Sequence, residues 1–178
     1  MTTKLKFSAP EVNQALDRLA RAIVKAHGST PDLIFVGVAD GGIGLVQRLA
    51  EKVGESLGQK ISLGIVDVSF HRDDIGSNPI PKAAVPTDLP PEVEGSSCIL
   101  VDDVIFSGRT IRAALNELFD QGRPECVELA VLVDRGHRRL PFSPDYVGIE
   151  LETTLEQNVE VLVGPTHTLD DYVTVTPL

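Results

Sequence analysis

The run Cys98-Ile-Leu-Val-Asp-Asp-Val-Ile-Phe-Ser-Gly-Arg-Thr110 constrains this chain more than any other stretch. Its apolar start suits a strand buried on both faces. Two adjacent acids, Asp102 and Asp103, close that strand, and a short turn, Ser107-Gly-Arg-Thr110, leads into an amphipathic segment. Thr110–Asp120 has helical spacing and ends near Gly122. A strand, a glycine turn and a helix in this order bring turn amides and a helix N-terminus together, which makes an anion site. Gly108 lets the backbone approach a phosphate closely, and Ser107 and Thr110 add hydroxyl donors. The acids upstream suit ribose hydroxyls, for which a carboxylate is a strong acceptor. A sugar phosphate spans both features. Asp-Asp alone could merely cap the following helix, but the whole string of apolar residues, two acids, three others, Ser-Gly-x-Thr is more specific than a cap. A Walker A loop is excluded, because no Gly-Lys-Ser/Thr follows a glycine four residues earlier. No G-x-G-x-x-G string follows Leu33–Val38, which argues against a dinucleotide fold.

The rest of the chain reads as a frame for that segment. Ser8-Ala-Pro-Glu11 resembles a capping box, Val12, Leu16, Leu19, Ala20 and Ile23 recur at helical spacing, and Gly28 can stop the helix. Leu33–Val38 is a buried strand. Ala39-Asp40-Gly41-Gly42 follows, then a helix carrying Ile43, Val46, Leu49 and Val53. Strands are expected over Ile61–Phe70, Ile99–Val101 and Val127–Val133, and weaker ones over Asp145–Leu151, Val159–Val163 and Tyr172–Val175. Alternating strands and helices predict an α/β fold: a mainly parallel central sheet flanked by helices, in one domain of 178 residues. His71 to Gly95, with five prolines and no periodicity, is expected to be a flexible lid loop.

The formal net charge of −10 argues against a dominant nucleic-acid footprint. Cys98 and Cys126 each open an apolar run and read as buried strand thiols, with no zinc pattern around them. No run approaches a membrane span, and Met1 to Pro10 lacks a signal-peptide core, so a cytoplasmic location is expected. His27, His71 and His167 show no partner spacing for catalysis or metal, and His137 among arginines reads as a surface group.

The thirteen-residue string resembles the motif for phosphoribosyl pyrophosphate (PRPP) of type I phosphoribosyltransferases. The likeness extends to the PyrR family, pyrimidine operon attenuators that are also uracil phosphoribosyltransferases. It is carried by Gly108-Arg-Thr-Ile-Arg-Ala-Ala-Leu, Gly122-Arg-Pro, Leu132-Val-Asp-Arg-Gly-His137-Arg, Asp145-Tyr-Val-Gly148 and His71-Arg-Asp-Asp74. The resemblance implies the type I phosphoribosyltransferase fold with a small hood. It implies an enzyme that makes UMP and pyrophosphate from uracil and PRPP, with Mg²⁺ carried by PRPP and met at most by Asp102 and Asp103. By the same resemblance Asp102 and Asp103 hold the ribose hydroxyls, and Val104 and Phe106 to Thr110 (Ser107, Gly108 and Arg109 between them) cradle the 5-phosphate. Ala39, Asp40 and Gly41 meet pyrophosphate, and Arg72 returns positive charge to it on lid closure. Asp134, Arg135, Tyr146 and Val147 bind the base, Tyr146 by its ring face and Val147 by its backbone. Phe106 stands where purine-salvage relatives carry an aspartate, which disfavours a 6-oxopurine substrate.

Departures from the family pattern concern turnover and regulation. Asp40 replaces an arginine, and a carboxylate beside pyrophosphate opposes charge stabilisation, so turnover is expected to be weak. The family tends to carry Thr and His where Asp17 and Arg21 stand, Lys at Ile149 and a basic residue at Ser143; Arg138 and Arg139 remain. Binding of an mRNA leader is therefore expected to be lost or reduced. A non-enzymatic UMP- or PRPP-sensing regulator is the alternative to the enzyme. The resemblance also implies a homodimer or a higher homo-oligomer.

Overall fold

The computed structural model describes residues 5–39, 41–68, 85–166 and 169–178. In chain order the elements are β1 (Leu5–Phe7), α1 (Ala9–His27), β2 (Leu33–Val38), α2 (Gly42–Leu57), β3 (Ser62–Val66) and β4 (Ser97–Ile105). They continue with α3 (Arg109–Gln121), β5 (Cys126–Asp134), β6 (Tyr146–Glu150), β7 (Gln157–Leu162) and β8 (Tyr172–Pro177).

Five strands form a parallel sheet in the order β3-β2-β4-β5-β6. Central β2 is apolar and buried throughout, and β4 and β5 carry apolar runs at Ile99–Val101 and Leu129–Val133, as strands covered on both faces require. One face packs on α1 and α2 through Leu16, Leu19, Leu45, Leu49 and Phe35; the other packs on α3 through Ile111, Ala114 and Leu118. β1, β8 and β7 make a separate antiparallel sheet, the hood. The hood is fastened to α2 by the buried pair Arg48 Nη1 to Asp171 Oδ2, 2.5 Å, where Asp171 Oδ1 also accepts the Gly164 N–H at 3.2 Å. Gly44 permits the approach, since a β-carbon there would overlap the Val163 carbonyl.

Local signals behave mostly as their chemistry dictates. Glu11 accepts both the backbone N–H (2.8 Å) and the hydroxyl (2.6 Å) of Ser8 at the start of α1. Gly28 follows the last helical residue without a left-handed turn (φ −55°), and the positive φ falls on Asp32 at 51°. Both cysteines are free; Cys98 is buried, whereas Cys126 is exposed, contrary to expectation, because it is the first residue of β5. Burial pushes the Cys98 thiol up to about 12.

Only the second part of the lid expected over His71 to Gly95 falls among the described residues. Residues 69–84 lie outside the described residues, but 85–95 are packed against the body. Asp88 exchanges two backbone hydrogen bonds with Ile65 (2.8 and 2.9 Å), Pro91–Val93 form a 3-10 turn, and Val93 is buried against α3. Proline there shapes a strap, not a free loop. No described helix is long and apolar enough to cross a membrane.

Candidate active site

The site lies at the carboxyl ends of β2 and β4. β2 feeds a helix on one face of the sheet and β4 feeds α3 on the other, so a crevice opens between them. β4 runs past the end of its pairing with β2, because Val104 and Ile105 still pair with Val133 and Asp134 of β5. Asp102 and Asp103 therefore lie inside the strand, not after it. The Asp102 carboxylate accepts the Asp103 N–H at 3.0 Å, and that of Asp103 accepts the Val104 N–H at 2.7 Å. Asp103 points toward the start of α2, where a β-carbon on Gly41 would overlap its carboxylate. Burial, and then the neighbouring charge of Asp103, hold the Asp102 carboxyl well above the usual range; burial also raises Asp103 against the pull of its backbone hydrogen bonds.

A cavity of about 370 Å³ extends from Asp102 along Val104 to Ile111, with Arg139 on its rim. Gly108 turns the loop with φ +88°, a region that favours glycine, and delivers the first turn of α3 to the cavity. Ser107 Oγ accepts the Arg109 N–H at 3.3 Å, which tightens the turn. An acid at one end and a helix N-terminus at the other make a site polarised along its length.

Phe106 lies at the side of this cavity with Arg135 behind it. The guanidinium carbon is 4.4 Å from the ring centroid, a cation–π contact, and the His137 ring meets Phe106 edge-on at 6.2 Å. Arg135 is buried and also ties the hood to the sheet. It donates to Thr153 Oγ1 (3.3 Å) and to the carbonyls of Thr154 (3.0 Å) and Gln157 (2.7 Å). His137 Nε2 lies 2.6 Å from the Thr153 carbonyl, which requires a proton on that nitrogen. Burial lowers the Arg135 pKa.

A phosphoribosyl transferase domain model matches residues 7–167. The Bifunctional protein PyrR of Citrifermentans bemidjiense is 44% identical over 150 residues, covering 84% of this chain and 85% of its own. That of Chloroflexus aurantiacus is 41% identical over 168 residues, covering 94% and 92%. This chain is a member of the PyrR family. Among solved structures, a hypoxanthine phosphoribosyltransferase from Trypanosoma cruzi in complex with IMP superposes with TM-score 0.65 at 21% identity, over 83% of this chain and 80% of that one. A second structure of a T. cruzi hypoxanthine phosphoribosyl transferase reaches 0.71 at 20% identity, over 98% and 91%. These two carry the fold alone.

Within this PyrR-family framework the expected residues divide into three groups. Asp102, Asp103, Val104, Phe106, Ser107, Gly108, Arg109 and Thr110 come together with Gly41 at the crevice, and Ala39 follows the last residue of β2, its N–H on the Val66 carbonyl at 3.0 Å. Asp40, Arg72, His71 and His167 lie outside the described residues. Of the expected base-binding residues, Tyr146 and Val147 lie apart from that group. Tyr146 is the first residue of β6, paired with Ala130, and so lies at the amino end of a parallel strand, four residues before the level of Asp134. It is buried in the core, and its hydroxyl donates to Glu128 at 2.8 Å and lies 3.2 Å from His27 Nε2. His27 Nε2 is also 2.6 Å from Glu128, so this histidine does have partners, though at the far end of the sheet from the crevice. Val147, next along and paired with Val131, packs toward α3 inside the strand. Asp134 is at the right end, but its carboxylate is taken by the Gly136 N–H (2.8 Å) and Arg138 (2.5 Å). Sequence reading missed Thr153 and Gln157, whose contacts with Arg135 span 18 and 22 residues and leave no local pattern.

Proposed function

We propose that this protein transfers the phosphoribosyl group of PRPP to uracil, forming UMP and releasing pyrophosphate. One observation carries the reading: a single cavity is lined by the buried acid Asp102, by the loop of Ser107 to Thr110 and by Phe106. A carboxylate and an anion loop lining one cavity suit the two ends of a ribose 5-phosphate, and an aromatic ring suits a planar base.

In this reading Asp102 and Asp103 accept hydrogen bonds from the ribose hydroxyls, and the loop amides, with the hydroxyls of Ser107 and Thr110, hold the 5-phosphate. The C1–pyrophosphate bond breaks as a C1–N1 bond to uracil forms, the N1 proton of uracil is lost to the departing pyrophosphate or to water, and the pyrophosphate leaves on the side of Ala39 and Gly41. Phe106, with Arg135 against its ring, aligns the uracil ring. Holding nucleophile and electrophile in line supplies most of the gain available to such a displacement. Mg²⁺ fits the chemistry of this site: two buried carboxylates with raised pKa values lack positive charge, and oxygen ligands are what a hard dication takes. Asp102 and Asp103 would meet the ion through ribose oxygens or water. When bound with PRPP it neutralises the leaving pyrophosphate. Asp40 and Arg72 keep the roles expected from sequence, charge opposition and charge return.

The test is base-dependent pyrophosphate release with PRPP across uracil, orotate, xanthine and hypoxanthine. Release with uracil above the others supports the reading; UMP binding without turnover on any base leaves a nucleotide sensor in its place. Regulation through RNA is proposed to be weak. On α1, Asp17 is spent on Lys52 at 2.7 Å and Arg18 on the Gly148 carbonyl at 2.7 Å, which leaves less positive charge for phosphates. A gel shift with a pyrimidine-leader RNA and UMP tests that; tight, UMP-dependent binding at moderate salt would refute it.

A further inference from the structure

Three consecutive carbonyls of the anion loop accept hydrogen bonds from the segment after β5, in which Arg135, Arg138 and Leu140 do not line the cavity and Arg139 does. The Ile105 carbonyl accepts the Arg135 N–H at 3.3 Å and Arg138 Nη1 at 3.4 Å, and the Phe106 carbonyl accepts Nη1 at 2.9 Å. The Ser107 carbonyl accepts the N–H groups of Arg139 and Leu140, both at 3.0 Å. In a trans peptide the C=O and the following N–H point in opposite directions. Carbonyls drawn outward therefore turn the next amides, those of residues 106 to 108, toward the cavity. That orientation decides whether the loop attracts a phosphate, because an inward carbonyl would repel it.

Arg138 is the side chain at the centre of this arrangement. Besides the loop carbonyls it donates to Gly136 (3.2 Å) and Phe142 (3.1 Å), and Nη2 meets Asp134 Oδ2 at 2.5 Å. The planar guanidinium fork serves partners in several directions at once, which an ammonium on one point cannot. The same connection presses on Gly108, where a β-carbon would stand 3.1 Å from Phe142 Cδ2.

We propose that Arg138 is a positioning residue for phosphate binding: without touching the ligand, it holds the loop carbonyls out so that the loop amides face the phosphate. Asp134, expected from sequence to bind the base, is the anchor that orients Arg138. The inference rests on the reading that this loop takes the 5-phosphate of PRPP and UMP.

The experiment measures UMP binding by calorimetry, KM for PRPP and for uracil, and Tm, for the full chain and for Arg138→Gln and Arg138→Lys. Arg138→Gln is expected to weaken UMP binding and raise KM for PRPP by about tenfold, while KM for uracil moves less than about twofold. Arg138→Lys restores only part of the loss. A folded Arg138→Gln that binds UMP as the unsubstituted protein does overturns the proposal. So does an equal rise in both KM values accompanied by a lower Tm, which would make Arg138 merely structural. If Arg138→Gln does not fold, Asp134→Asn releases the anchor and leaves Arg138 in place; an unchanged KM for PRPP in that variant overturns the proposal as well. Failure of the unsubstituted protein to bind PRPP or UMP overturns the loop reading itself, and shows before any variant is made.

Discussion

Asp103 and Gly41 share one space: the carboxylate occupies the position that a β-carbon on Gly41 would need. The contact joins the end of β4 to the start of α2 and fixes how close the two sides of the crevice come. Gly41→Ala is therefore expected to displace Asp103 and to lower kcat/KM for PRPP by about tenfold or more. In an Asp103→Ala background the same substitution has room, and its effect on urea-denaturation stability should largely vanish. A double-mutant cycle reads the coupling directly, and additivity of the two changes would show that the contact carries no energy.

Asp102 is held protonated by its surroundings at pH values where an exposed aspartate is ionised. Because its folded-state pKa is raised, the folded state binds more protons than the unfolded one over that interval. Stability contributed by this group is thus full below the ordinary aspartate value of about 3.9 and declines as pH rises toward the raised value. Asp102→Asn removes the burden of a buried charge. The ligand-free variant should be more stable than the unsubstituted protein at pH 8 by about 1 kcal/mol or more, about 2–4 °C in Tm, with the difference shrinking toward pH 4. PRPP binding should be lost. A gap that widens on acidification would contradict the assignment.

The buried place of Tyr146 gives a clean discrimination. Tyr146→Phe keeps the ring and removes the hydroxyl from Glu128 and His27. Urea denaturation should register a loss of about 1–3 kcal/mol, as for a buried hydrogen-bonding partner left unpaired. UMP formation from uracil should stay within about twofold at 25 °C, since the residue is buried in the core and does not line the cavity. A raised KM for uracil with unaltered stability would restore Tyr146 to the base site.

Arg48 and Asp171 are both buried, so removing Arg48 takes a buried counter-charge away from Asp171. Arg48→Met is expected to destabilise the fold by about 3–5 kcal/mol, and the double replacement Arg48→Met with Asp171→Leu by much less. Thermal unfolding of the two variants, compared with the parent, checks the order. It also tests whether the hood stays docked, since Gly164 and Asn13 lean on the same pair.

How legible the molecule was depends on how local each signal is. The anion loop was readable because strand, acids, glycine turn and helix are contiguous, and Gly108 indeed adopts the positive φ. The parallel sheet followed from apolar runs separated by helical spacing. The base side was not readable in the same way. Asp145-Tyr-Val-Gly148 looks suitable as a string, but which end of β6 faces the crevice is set by the register Tyr146 to Ala130, a tertiary fact. The extra length of β4 had a signal, the apolar Val104 and Ile105, which the acids before them masked. The proline-rich stretch misled for a comparable reason: proline reports missing helix and sheet periodicity, and Val93 shows that such a segment can still bury a side chain.

The exchange between Asp88 and Ile65 also bears on how molecules of this protein behave when crowded. β3 is an outermost strand, and an exposed strand edge invites a neighbour to add its own ladder. Here the chain supplies the neighbour itself, over one antiparallel bridge, from a segment whose prolines cannot pass the pairing onward. A strand arriving from another molecule at that point must first evict the strap, including buried Val93. The stretch that reads from sequence as a mobile cover thus protects that part of the sheet edge against self-association.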